Sequence, residues 1–350
     1  MRPKLATFDE VAPFLKKIDL SNVYSNHGPL VLELELAYSR YFNVDRELVV
    51  AVANATQAIQ GLVSISDQMN WLVPDFTFVA TGLAVLNANK RIALCDVNLH
   101  DWRIDMNHQQ LGDKKYGVIP VMPFGAKVIF EPYSDYEDVI VDAAASLGSD
   151  KPDFRDMPKT WSVVYSLHAT KVLGAGEGSI VVCGNQEIAN KLRSWINFGF
   201  SGGRSSLLQG TNAKLSEVNA AYGLFSILNV DFERYEWLKT QESVSKSIIS
   251  LNWSTHVNLT AQFHSYWIAQ FKDASQVSNV MKNLSSNGIE SRKWWPQPLS
   301  LQKPFMDSEK VTETLTSRFL AETHLGLPMY RGLSAETVEE ICRLVNEAVT

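Results

Sequence analysis

Residues 48–66 read LVVAVANATQAIQGLVSIS. The opening run, 48–54, is apolar at nearly every position instead of alternating, which marks a strand buried on both faces. Residues 56–66 then carry apolar side chains at helical spacing. Asn54-Ala55-Thr56 supplies the turn and the cap between the two. A doubly buried strand that passes directly into a helix is the repeating unit of a mainly parallel sheet covered by helices on both sides.

The same unit recurs outward from this point. Leu30–Tyr41 is an amphipathic helix with Glu33 and Glu35 on its polar side. WLVPDF (71–76) is a short strand broken by Pro74, TFVATGLAVLNAN (77–89) a helix, and RIALCDV (91–97) a strand. YGVIPVMPF (116–124), DVIVDAA (138–144), WSVVYSL (161–167) and SIVVCG (179–184) are further apolar strands. From about Leu215 the pattern changes: LSEVNAAYGLFSILNV and the charged stretch after it read as one long helix. HSYWIAQF (264–271), VSNVMKNLSSNG (277–288) and AETVEEICRLVNEAV (335–349) then alternate strand and helix. The expected division is a large domain over 1–228 and a smaller C-terminal α/β domain over 229–350. Whether the N-terminal segment packs with the small domain is left open.

Composition narrows the function. The formal net charge of −6 argues against a chain built to coat nucleic acid or an anionic membrane. The apolar runs are too short to span a bilayer, and the N-terminal stretch lacks the unbroken apolar core of a signal peptide. Cys95, Cys183 and Cys342 lie far apart with no CxxC pair, so neither a zinc ribbon nor a redox dithiol is indicated. Cys95 and Cys183 sit in apolar runs as buried thiols, which suits a reducing, cytoplasmic setting. No metal and no nucleic-acid partner is expected.

Sheets of this kind bind ligands in the crevice at the carboxyl ends of their strands. Asn54–Thr56, Asp142 and Ser166–Lys171 all occupy such ends. Lys171 stands in SLHATKVLGAGEGS (166–179), directly after an apolar strand. A lysine held in a cleft can condense with an aldehyde, and pyridoxal 5'-phosphate (PLP) is the common aldehyde cofactor. PLP also needs a carboxylate for its pyridine nitrogen, amide and hydroxyl donors for its phosphate, and a flat apolar face for its ring. Asp142, closing DVIVD, is the candidate carboxylate; a helix cap is the ordinary alternative. Ala55, Thr56 and Gln57, opening a helix, are candidate phosphate donors, against simple N-capping. Ser166 offers another hydroxyl, and Phe78 a ring face, against core packing. A nucleotide-loop reading of GAGEGS fails, because the lysine precedes the glycines and no GK[ST] ending follows.

The ordered motifs NATQA, PDFTFVAT, VDAAAS, SLHATKVLGAGEGS and GTNAKLSEVNAA resemble the DegT/DnrJ/EryC1/StrS nucleotide-sugar aminotransferases. The likeness runs from NHGPLVLELELAY to LPMYRGLSAETVEEI, nearly the whole chain. It implies the aspartate aminotransferase-like PLP fold type I: a large, mixed but mainly parallel sheet sandwiched by helices, with a smaller C-terminal α/β domain. Residue by residue, it implies Lys171 as the Schiff-base lysine, Asp142 as the pyridine partner and Phe78 as the ring-stacking aromatic. Ala55, Thr56, Gln57 and Ser166 match the phosphate contacts. Asn212 matches an asparagine that reaches across to the phosphate in the second subunit of a homodimer with shared active sites, and Lys214 stands beside it.

The resemblance further implies that L-glutamate donates the amino group, that Lys171 moves the α-proton, and that PLP cycles through pyridoxamine phosphate. The expected acceptor is dTDP-4-keto-6-deoxy-D-glucose, aminated at C4 for cell-surface glycan synthesis, such as the O-antigen of lipopolysaccharide. IESRKWWPQPLS resembles a stretch of members thought to use that sugar, which makes Arg292, Trp294 and Trp295 candidate substrate contacts, against core packing of the tryptophans. His168 is either structural or beside the substrate. A C3-ketosugar aminotransferase and a non-catalytic regulator that binds PLP or a nucleotide sugar are the alternatives. Three positions depart from the family pattern: Ala145 where glutamine or histidine is usual, Ser179 where glycine is usual, and Ser300 in place of a histidine.

Overall fold

The computed structural model describes residues 3–106, 115–248, 254–255 and 263–349. The strands of the main sheet are β1 (Val49–Val52), β2 (Asn70–Pro74), β3 (Arg91–Cys95), β4 (Gly117–Val118), β5 (Ile140–Asp142), β6 (Ser162–Ser166) and β7 (Ser179–Cys183). The helices are α1 (Phe8–Ser21), α2 (Pro29–Phe42), α3 (Ala55–Ile65), α4 (Val79–Asn87), α5 (Gln186–Trp195), α6 (Glu217–Leu228), α7 (Val230–Ile248), α8 (Ala274–Ser286), α9 (Leu315–Thr323) and α10 (Ala335–Val349). Strands β8 (Ser254–Thr255), β9 (Trp267–Gln270) and β11 (His324–Leu327) form a separate antiparallel sheet.

Ladder pairing gives β1-β7-β6-β5 and β10-β3-β2-β4, where β10 is Glu309–Lys310. Parallel bridges from Val118 to Val139 and from Val121 to Asp142 carry the order across from β4 to β5. All pairings are parallel except those of β7, which runs antiparallel to both neighbours. The direction of β7 follows from its connection. Residues 167–178 hold no helix, and a parallel return needs a crossover, usually helical. Residues of β1, β5, β6 and β7 are buried throughout, as their unbroken apolar runs require.

Some expectations change. The long helix expected after Leu215 is two helices, α6 and α7, broken at Asn229. The Asn229 side-chain amide donates to the Phe225 carbonyl at 2.8 Å, offering the backbone an alternative to continuing the helix. YGVIPVMPF contributes only two strand residues, because Pro120 and Pro123 have no N–H to give a ladder. Glu35 is not on the polar side of α2 but fully buried. Two residues apart on a helix, Glu33 and Glu35 point about 200° apart. Glu35 instead accepts from the Ala51 amide at 3.1 Å and faces the Arg193 guanidinium at 3.6 Å.

Residues 299–312 return to the main sheet. β10 extends it beside β3, and Leu299 and Phe305 enter its core with Val85 and Leu94. Among the described residues no helix is long and apolar enough to cross a membrane.

Candidate active site

The carboxyl ends of β1, β5 and β6 bring the chemistry-bearing residues to one edge. β1 leads into Asn54, whose Oδ1 accepts from the Gln57 amide at 2.9 Å and caps α3. Asn54 Nδ2 also donates to Gln57 Oε1 at 3.1 Å. Gln57 is therefore engaged by the cap, while the amides of Ala55 and Thr56 have no hydrogen-bond partner among the described residues. These two amides and the Thr56 hydroxyl stand at a helix N-terminus, an arrangement that suits a phosphate.

Asp142 ends β5 and is buried. Its Oδ2 accepts from Thr81 Oγ1 at 2.8 Å and its Oδ1 from the Ala144 amide at 3.1 Å. Burial pushes its carboxyl above the usual range, while Thr81, Ala144 and the positive charge of Lys171 oppose that rise. Thr81 Oγ1 lies 3.2 Å from Thr77 Oγ1, so a short hydroxyl chain at the start of α4 backs the carboxylate. A buried carboxylate is costly unless a cation or strong donors face it, and a protonated pyridine nitrogen meets that need.

Lys171 leaves β6 through a tight turn. Its amide donates to the His168 carbonyl at 2.9 Å, and the Ala169 amide to the Gly176 carbonyl at 2.8 Å. Gly176 has φ +90°, where any side chain would be strained, so this glycine serves the turn. Helix α6 holds the turn from outside. Asn219 Nδ2 donates to the carbonyls of Ala175 and Glu177, and Ser226 Oγ donates to the Gly174 carbonyl. The Lys171 side chain is half-buried, and its Nζ donates to Tyr266 Oη at 2.7 Å. Ser166 is buried, and its Oγ accepts from the His168 amide at 3.2 Å.

Phe78 caps α4 and is 58% exposed, so core packing does not account for it. His168 turns outward: its Nδ1 accepts from the Thr170 amide at 3.2 Å, and its Nε2 faces Glu177 at 3.7 Å. It braces the turn. Lys214 Nζ donates to Asn212 Oδ1 at 2.6 Å and lies 4.3 Å from the centre of the Phe198 ring. Burial pulls the Lys214 ammonium below its ordinary range. Asn212 is exposed, and no hydrogen bond joins this pair to Asp142 or Lys171 among the described residues.

The two tryptophans divide. Trp295 is buried, stacked on Phe124 at 4.2 Å and edge-on to Phe76 at 4.9 Å, and so packs in the core. Trp294 is half-buried, with the Arg292 guanidinium 5.2 Å from its ring. Trp294 and Arg292 line a cleft of about 530 Å³ together with Tyr266, Met281 and Leu327.

The three departures have distinct settings. Ala145 is half-buried and packs on the aromatic cluster of Phe76, Trp102, Phe124 and Trp295. Ser179 starts β7 directly across from Ser166, fully buried. Ser300 is also buried, and its amide and hydroxyl donate to the two Asp75 oxygens at 2.6 and 2.7 Å. It therefore fastens the C-terminal segment to the end of β2.

Thr81, Asn219 and Tyr266 escaped the sequence reading. A threonine within the otherwise apolar VATGLAVLN was a usable signal, since a buried hydroxyl needs a partner. Tyr266 carried none, because HSYWIAQF reads as an ordinary strand.

Comparison with known proteins supports the fit. Residues 9–346 match the DegT/DnrJ/EryC1/StrS aminotransferase family. A Shigella dysenteriae relative named dTDP-4-amino-4,6-dideoxy-D-glucose transaminase is 25% identical over 365 residues, covering 99% of this chain and 97% of that protein. A Caulobacter vibrioides GDP-perosamine synthase is 23% identical, covering 93% and 91%. A solved Bacillus cereus structure, described as a candidate PLP-dependent aminotransferase, superposes with a TM-score of 0.89 at 25% identity, covering 99% and 98%.

Proposed function

The chain belongs to the DegT/DnrJ/EryC1/StrS aminotransferase family, and we propose that it transfers the amino group of L-glutamate to a nucleotide-linked ketosugar, with dTDP-4-keto-6-deoxy-D-glucose as acceptor and C4 as the aminated carbon. The observation that carries this reading is the half-buried amine of Lys171, in the turn after β6, whose charge acts on the buried carboxylate of Asp142 at the end of the adjacent parallel strand β5.

PLP, when bound, supplies an aldehyde for amines and a sink for electrons. The chain's own residues do the rest. Lys171 Nζ would hold the cofactor and, as a free amine, would take and return the substrate α-proton. Asp142, backed by Thr81, pairs the pyridine N–H and keeps it protonated. The Ala55 and Thr56 amides, with the Thr56 and Ser166 hydroxyls, would hold the phosphate, and Gln57, whose backbone amide and Oε1 serve the Asn54 cap, would add its side-chain Nε2 as a donor. The exposed Phe78 ring covers one face of the cofactor.

Arg292 and Trp294 contact the nucleotide sugar from the cleft beside Tyr266. Trp295 acts behind them by packing. The working unit is a homodimer. Helices α1, α2 and α6 pack together, and Leu20, Leu32 and Val218 on them, with Tyr24 between α1 and α2, are exposed apolar side chains suited to a second copy. Asn212 and Lys214 then serve the phosphate in the second copy's site. Three free, buried cysteines fit a cytoplasmic enzyme.

The test is a screen of nucleotide ketosugars with L-glutamate, read by mass spectrometry and then by NMR of the product. Amination of dTDP-4-keto-6-deoxy-D-glucose at C4 is expected. Amination only of C3-ketosugars overturns the regiochemistry. A PLP absorbance band that glutamate leaves unchanged favours a regulator over an enzyme.

A further inference from the structure

We infer that Tyr266 is the positioning residue for the free amine of Lys171, and that it acts from the second sheet. The inference rests on the aminotransferase reading of the site. Lys171 follows β6 of the main sheet, whereas Tyr266 immediately precedes β9 of the separate antiparallel sheet. Their hydrogen bond, 2.7 Å from Nζ to Oη, therefore joins the two sheets at the reacting nitrogen.

The tyrosine is fixed before the lysine reaches it. It is 6% exposed and is gripped edge-on by Phe124 and Trp294, each with ring centroids 5.5 Å away. Phe124 is in turn stacked on Trp295, and Trp294 carries Arg292 over its face. A free lysine side chain, by contrast, has four rotatable bonds and much conformational freedom to lose before it can meet one proton at one point. A rigid acceptor at the end of its reach removes part of that loss.

The direction of the bond matters. The heavy atoms are 2.7 Å apart, and with Nζ as the donor to the phenol oxygen the nitrogen lone pair is left to receive a proton. When that proton arrives, the same hydrogen bond becomes charge-assisted. Tyr266 thus holds the nitrogen at one point without touching the substrate carbon. Trp294 touches both Tyr266 and Arg292, so the tyrosine that meets the lysine is packed against a wall of the neighbouring cleft.

The experiment compares Tyr266→Phe, Lys171→Met and the double variant. In protein freed of cofactor, thermal unfolding reads the coupling. Tyr266→Phe should lower Tm by about 1–3 °C when Lys171 is intact, and by measurably less in the Lys171→Met background. In PLP-loaded protein, the single-turnover reaction with glutamate should slow about tenfold to a hundredfold in Tyr266→Phe, with KM for glutamate within about twofold. The isotope effect with α-deuterated glutamate should rise, as proton transfer becomes more rate-limiting. Additive Tm shifts, or an unchanged rate and isotope effect, overturn the assignment. Failure of the wild-type protein to aminate any ketosugar would count against the proposed acceptor, and would leave both of these readouts intact.

Discussion

The carboxyl edge of the main sheet has two halves that use the same kind of residue for different ends. At β2 and β3 the chain places Asp75 and Asp96. Asp75 is clamped by the Ser300 amide and hydroxyl, and Asp96 accepts from the amides of Thr316 and Ser317, at the start of α9. At β5 and β6 it places Asp142 and Lys171. Asp142 takes only one neighbouring hydroxyl and one local amide, and its remaining influence is a lysine charge. Burial pushes both Asp75 and Asp142 upward; the nearby Asp96 charge adds to the rise at Asp75, whereas Lys171 opposes it at Asp142. A buried carboxylate is therefore not a site by itself. Donors brought from the far end of the chain make the first half a fastening, and an amine in the turn after the next strand makes the second half the one proposed to react.

The contrast can be broken at its strongest point by Lys171→Ala. Turnover should fall at least about a thousandfold while circular dichroism stays native. A near-normal rate would remove the chemical half altogether. Asp142→Asn against Asp75→Asn is the direct comparison. The first should slow the glutamate half-reaction by about a hundredfold or more, the order of breaking a buried charge pair. The second should lower stability and leave that rate within about threefold. Equal losses of rate would mean that both halves serve the reaction.

Acid offers a third way to sharpen it. His324, at the start of β11, is buried, with its Nδ1 2.7 Å from the Leu320 carbonyl and its Nε2 3.4 Å from the Trp295 amide. Burial pulls its pKa down to about 4. The unfolded chain binds this proton below its ordinary value of 6.5, the folded chain only near 4. Stability should then fall as pH drops through that window, by about 3 kcal/mol in all. Urea titrations across the window for wild type and His324→Gln should show a flatter pH dependence in the variant. The smallest effect belongs to Ser300→Ala. Losing the hydroxyl donor to Asp75 should cost roughly 1–3 kcal/mol in urea unfolding, with KM for the nucleotide sugar unchanged. A raised KM with intact stability would move Ser300 from the fastening to the ligand.

How far the sequence could be read depended on distance along the chain. Asp142 and Lys171 were legible because the first closes an apolar strand and the second stands in the turn that follows one, and strand ends are where such sheets bind. The helix of residues 55–65 was legible because Asn54 is a strong N-cap. Trp294 and Trp295 were not separable: adjacent residues on an irregular segment have no periodicity to assign one to the core and the other to the cleft. Glu35 was misplaced because its partners, Ala51 and Arg193, come from other elements. The break at Asn229 turned on one side chain bonding back to its own helix, which composition alone does not reveal.

The sequence by itself determined the layered α/β architecture and the family, and pointed to a candidate lysine and carboxylate, because local burial patterns and short motifs encode them. Only the tertiary structure decided that Tyr266 meets Lys171 across 95 residues and that Ser300 meets Asp75 across 225. It also decided that β7 turns back antiparallel. The physical reason is that a hydrogen bond between distant segments depends on how helices and sheets pack, and packing is a property of the whole core, not of any window of the chain.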